Sequence, residues 1–118
     1  MKMILFVMHD ATKLTDLLTA WQEAGATGAT VLSSTGMGRL HSESPLRDDL
    51  PLMPSLSDFY EHGEHLSRTL FTVVQDDETV ERVRAATRRV IGDLSLPDTG
   101  FLVVLPVEQV EGLEKKRD

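Results

Sequence analysis

A chain of 118 residues, 41% hydrophobic and 26% charged, reads as one soluble domain, large enough to bury a core and small enough to gain from a second copy's surface. Zero cysteines exclude a disulfide framework, thiolate metal ligation and thiol catalysis, while a net charge of −7 opposes the counterion-driven affinity that nucleic-acid binding needs. The longest apolar runs, near residues 3–8 and 101–105, are too short to span a bilayer, and the start of the chain lacks a signal-peptide pattern, so a cytoplasmic protein without membrane insertion is expected.

In chain order, residues 2–8 (KMILFVM) are apolar on both alternating faces and free of Gly and Pro, which predicts a buried strand. Leu14, Leu17, Leu18 and Trp21 then recur at helical spacing, with Thr12 as the expected N-cap and Gly25 as the left-handed residue ending the helix. Residues 29–34 (ATVLSS) form a second, more polar strand, and residues 67–75 (SRTLFTVVQ) a third, rich in β-branched side chains. Asp76 or Asp77 caps a second helix whose buried stripe is Val80, Val83, Ala86 and Val90. Its arginines, Arg82, Arg84, Arg88 and Arg89, look outward toward the end where the macrodipole favours cations, and Gly92 stops it. A turn cluster, SLPDTG, leads into a fourth strand over 101–105.

The order βαββαβ is that of ferredoxin-like domains: an α+β fold in which two helices cover one face of an antiparallel sheet. The first and fourth strands are apolar on both faces, so something else must bury the open one, and a homo-oligomer does so most economically. Residues 107–113 are then candidates for packing across the subunit contact, and Lys115, Lys116 and Arg117 form a basic end.

Residues 33–39 (SSTGMGR) place Arg39 behind Gly36 and Gly38. Two readings stand: a hinge leaving the strand, or an anion site in which freed backbone amides and a guanidinium fork meet a phosphate or carboxylate. The connection that follows, residues 40–66, is long for a compact domain. It carries six acids against one arginine, three prolines, Tyr60, His41, His62 and His65, and an apolar run, LPLMPSLSDF, suited to packing on a partner. EHGEH (61–65) has the ligand types for a divalent metal, although solvated surface histidines fit it as well. His9 and Asp10 are adjacent on a strand end, hence point apart, and no phosphate-cradling loop follows them, so no catalysis is expected. An RNA-recognition module would need a basic sheet with stacking aromatics, and the third strand offers only Phe71.

Residues 14–39 (LTDLLTAWQEAGATGATVLSSTGMGR) resemble the start of the PII signal-transduction proteins, and the likeness continues through QDDETVERV to the last strand. TGMGR, GDLSLPDTG and LPVEQVEGL resemble a divergent PII-like branch of small bacterial proteins. The resemblance implies one PII-like domain over 1–118, assembled as a homotrimer with effector sites in the clefts between neighbours. It makes Gly36, Met37, Gly38 and Arg39 the base of a long T-loop at 40–66 facing an adenine nucleotide. Thr30 and Thr27 would lie near its base, and Gly100 is retained from a phosphate-gripping loop.

Departures from the family pattern accompany the match. Phe101 stands where that loop carries a lysine, Gly112 and Glu114 where two arginines reach phosphates, and Leu40 where a glutamine helps hold metal and 2-oxoglutarate. Each lost charge-assisted contact is worth roughly 1.5–3 kcal/mol, which argues against tight ATP binding in the PII manner. The expected function is regulatory: a small anionic effector bound between subunits and reported through the loop to a protein partner, with no resident cofactor or metal. The alternative is a trimer resembling the CutA proteins that binds a divalent metal.

Overall fold

The computed structural model describes residues 1–37 and 67–113. Strand β1 (Lys2–Met8) leads through a 3-10 turn (Ala11–Lys13) into helix α1 (Leu14–Glu23) and strand β2 (Thr30–Ser34). Strand β3 (Ser67–Val74), helix α2 (Asp77–Ile91) and strand β4 (Gly100–Pro106) complete the order. The four strands form one antiparallel sheet in the order β2-β3-β1-β4, the ferredoxin-like α+β arrangement that the sequence predicts.

Alternation along β1 sorts the core. Ile4, Phe6 and Met8 are fully buried beneath the helices, opposite Thr72 and Leu70 of β3. Leu17, Ala20 and Trp21 of α1, and Val80, Val83, Ala86 and Ile91 of α2, close over them. The predicted stripe of α2 thus holds at three positions, with Val90 half-buried and Thr87 and Ile91 added to the buried face. Thr87 earns its place by hydrogen bonding: the buried Trp21 Nε1–H donates to Thr87 Oγ1 at 2.8 Å, and that hydroxyl donates to the Val83 carbonyl at 2.8 Å. An indole N–H buried without an acceptor would cost about 1–3 kcal/mol, so this pair fixes how the two helices meet. Arg82 adds an outer staple, its Nε donating to the carbonyl of Ala24 at the end of α1.

The N-cap expected at Thr12 is corrected. Asp10 accepts from the backbone N–H of Thr12 and so caps a 3-10 turn, and α1 begins only at Leu14 with no side-chain cap of its own. The Thr12 hydroxyl also donates to Asp10 Oδ1, which holds it on that turn and away from the first free amides of α1. At α2 the cap is Asp76, whose Oδ1 accepts from the Thr79 amide at 2.7 Å. Gly25 and Gly92, at φ of 114° and 99°, end the two helices as predicted.

The sheet's other face carries Met3, Leu5 and Val7, with Thr69, Phe71 and Val73 of β3, Phe101, Val103 and Leu105 of β4, and Thr30, Leu32 and Ser34 of β2. Ser67, paired with Ser34, completes this face, and none of its side chains is charged; Lys2 and Arg68, the charged residues within the strands, stand on the helix side. Leu32 is 51% and Phe101 53% exposed in the single chain.

Candidate functional site

The register decides which predicted site residues share a place. Ser33, Arg68, Met8 and Gly100 lie in one row across the sheet, so the end of β2 and the start of β4 are at the same end of the molecule on opposite edges. Three strand spacings, about 14 Å, separate those edges. Gly36 and Met37 follow the end of β2, with Met37 largely exposed. Thr30 opens β2 at its other end, paired with Phe71, and Thr27 precedes it; both are exposed. Gly36, Met37 and Gly100 are therefore gathered at one end of the sheet, and Thr27 and Thr30 are not brought to it within one chain. Gly38 and Arg39 lie outside the described residues, as do Tyr60, His62, His65 and the rest of 40–66.

Local chemistry positions each group. Ahead of β2, the buried hydroxyl of Thr72 donates to the carbonyl of Gly28, which ties the segment carrying Thr27 to the sheet. At the far end of β2, Thr69 Oγ1–H donates to Ser34 Oγ at 2.9 Å, fixing the strand where the glycine-rich stretch departs.

Gly100 is a structural necessity. Its φ is 125°, and a Cβ there would be driven into the carbonyl oxygen of Val7 and lie 3.2 Å from Phe6 Cζ. The preceding turn reaches this geometry with Asp98 at φ 62°, a left-handed value that aspartate tolerates better than most residues.

The turn is acidic. Asp93 accepts from the Ser95 amide at 2.9 Å and from its hydroxyl, which hold its carboxyl below the usual range and so ionised at neutral pH. Leu96 and Phe101 on either side of Gly100 are exposed, and from residue 90 to residue 107 the sequence has two aspartates and no lysine or arginine.

The exposed ring of Phe101 is aligned with Val7, Thr69 and Leu32 on the open face. Alternation of Phe101, Val103 and Leu105 along β4 is the signal that places it there.

A separate groove of about 590 Å³ lies on the helix side between α2 and β4, with Leu94, Leu102 and Val104 on its floor and Arg84 and Arg88 on its wall. None of the predicted site residues among those described lines it. Arg84 is already engaged by Glu81 at 2.8 Å. Among the described residues, no cluster of three or more His, Asp or Glu side chains is placed to hold a metal, and no helix is long and apolar enough to cross a membrane.

Comparison with curated proteins found no match. The family model described as nitrogen regulatory protein P-II matches residues 1–117, nearly the whole chain, and agrees with the strand order and helix placement described above. The chain therefore belongs to the nitrogen regulatory protein P-II family.

Proposed function

We propose that this PII-like regulatory protein works as a homotrimer, holding a small anionic effector, an adenine nucleotide or a close relative, in the clefts between subunits. It reports occupancy through residues 40–66 to a protein partner. The family is regulatory rather than enzymatic, and no bond is made or broken in this scheme.

The observation that carries the reading is the split of the site. Gly36 and Met37 sit by one edge of the sheet, Gly100 by the other, and Thr27 and Thr30 at the far end of β2, so no single chain surrounds a small molecule with all of them. A closed ring of three copies sets the β2 edge of one against the β4 edge of the next, and the uncharged open faces turn inward away from water. Gly38 and Arg39 then supply backbone amides and a guanidinium to the anionic part of the effector.

Signalling follows by population shift. The effector biases the loop only if it touches the loop base differently in two loop arrangements.

Titration calorimetry on Arg39→Ala beside the unaltered chain, with light scattering for assembly, tests this. The expected result is an intact trimer that no longer binds adenine nucleotides. Unchanged affinity would remove Arg39 from the site, and a monomer in the unaltered chain would remove the cleft.

A further inference from the structure

Independently of the effector reading, we propose that the groove between α2 and β4 binds an amphipathic monoanion, an acyl carboxylate whose chain lies along β4 and whose head group meets Arg88 and Arg84. At about 590 Å³ the groove falls in the range that small ligands occupy, roughly 300–1,000 Å³.

Its construction calls for a ligand of two parts. Alternation sends Leu102 and Val104 of β4 to the helix side, opposite Phe6 and Ile4, but α2 does not cover them: Leu102 is half-buried and Val104 is 37% exposed. Val80 and Leu94 extend that apolar floor. Beside it runs one stripe of α2, Asp77, Glu81, Arg84 and Arg88, spaced for a single helix face and about 16 Å long.

Charge is uneven along the stripe. Glu81 accepts from Arg84 Nη1 at 2.8 and 3.0 Å, and Lys2 lines the groove with Asp77. The described ion pairs of α2 join Arg82 to Glu78 and Arg84 to Glu81, and leave Arg88 out. Asp93, five residues on, is held by the amide and hydroxyl of Ser95, and Arg88 acts on it only as a weaker, through-space charge. Three cations and two acids therefore line the groove, an excess of one positive charge in a chain whose net charge is −7.

One surplus cation beside an apolar strip favours one anionic head on an apolar chain. A guanidinium fork matches a carboxylate in geometry, and each methylene laid against Leu102 and Val104 leaves water. In the proposed trimer the open face turns inward and this side faces out. A neighbour's β2 edge set against β4 meets it in the plane of the sheet, so it borders the groove, which stands above that plane, without filling it.

Titration calorimetry on the full chain with hexanoate, octanoate, decanoate and the neutral octanol tests this, with the assembly's mass and melting temperature checked for each variant. Affinity is expected to rise about two- to fourfold per methylene from hexanoate to decanoate, and octanoate to bind about tenfold more tightly than octanol. Arg88→Gln is expected to bring octanoate toward the level of octanol at unchanged mass, and Val104→Ser to flatten the dependence on chain length. Adenine nucleotide titrations are expected to be the same in Arg88→Gln as in the unaltered chain.

Octanol binding as tightly as octanoate, or affinity independent of chain length, would overturn the inference. Undiminished octanoate affinity in Arg88→Gln would place the carboxylate elsewhere and overturn it too, and an altered nucleotide titration in that variant would merge the groove with the effector site. Binding seen only with phosphatidylglycerol vesicles would replace a free ligand by a membrane surface. Failure of the whole series to bind would overturn the inference, leave the groove to a protein segment, and leave the effector reading untouched.

Discussion

The two faces of one sheet are built from the same strands and end in opposite conditions. Under the helices, Ile4, Phe6, Met8 and Leu70 are sealed from water, and the polar groups there, Thr72, Thr87 and the Trp21 indole, each have a partner. One residue along each strand, Met3, Leu5, Val7, Phe71 and Val103 are only half-buried, and Phe101, Leu105 and Leu32 are exposed. The first face is closed within the chain over β1 and β3 by apolar volume, and is left open at the groove over Leu102 and Val104 of β4. The second is equally apolar and open, the condition that the proposed trimer would relieve.

The largest effect is expected at the edge where both faces meet. Gly100→Ala forces a Cβ into the Val7 carbonyl at a left-handed φ, and should cost at least about 3 kcal/mol, measured by urea denaturation. A small effect there would mean that β4 can slide away from β1, and that the contrast between faces is less fixed than the register implies.

Phe6→Ala against Leu5→Ala sharpens the contrast itself. The buried ring should cost about 3–5 kcal/mol irrespective of protein concentration. If the proposed trimer forms, the Leu5 change should instead make apparent stability more concentration-dependent, because the surface facing it then belongs to another subunit. Equal, concentration-independent losses would make the open face an ordinary surface.

Thr87→Val tests whether the closed face depends on its hydrogen bonds as well as its volume. Stranding the Trp21 N–H should cost about 1–3 kcal/mol at nearly constant side-chain size, again by denaturation.

The smallest effect is the cap of α2. The Thr79 amide, and then its hydroxyl, lower the pKa of Asp76 from its ordinary 3.8. The carboxylate's stabilisation is therefore present above that value and is lost as pH falls through the lower folded value. Asp76→Asn keeps a capping oxygen that does not titrate, so the difference in melting temperature from the unaltered chain should shrink in acid. A difference independent of pH would assign the effect to something other than the charge.

Much of the fold is legible in the residues because single-chain burial writes a period into them. Leu17 and Trp21, or Val80, Val83 and Ala86, can be recognised from spacing alone, and Gly25 and Gly92 punctuate the helices they end. Spacing does not reveal the cap at the start of α1, because the Asp10 carboxylate takes both the amide and the hydroxyl of Thr12 and leaves that hydroxyl with no amide of the helix to cap. The burial of Thr87 is not legible in the helix period because it depends on an indole 66 positions earlier in the chain.

The candidate site is less legible for a related reason. Gly36 and Gly100 share one end of the sheet on opposite edges and Thr30 lies at the other end, so in the proposed trimer the site is completed by a neighbour, and a neighbour leaves no period in the sequence. What the sequence does carry is the chemical character of the surface, in the absence of charge from Met3, Leu5, Val7, Phe101, Val103 and Leu105.

The pairing of Lys2 with Pro106 has a consequence for how the molecule is made. Of the four strands described, the first to leave a ribosome is an inner strand of the sheet, and one of its two flanks is filled only by the fourth. Closing a loop of about a hundred residues gives slow, late-committing kinetics. Until synthesis passes residue 106, the nascent chain exposes its most apolar segment along an unpaired flank, where chaperones and stray strands compete for it.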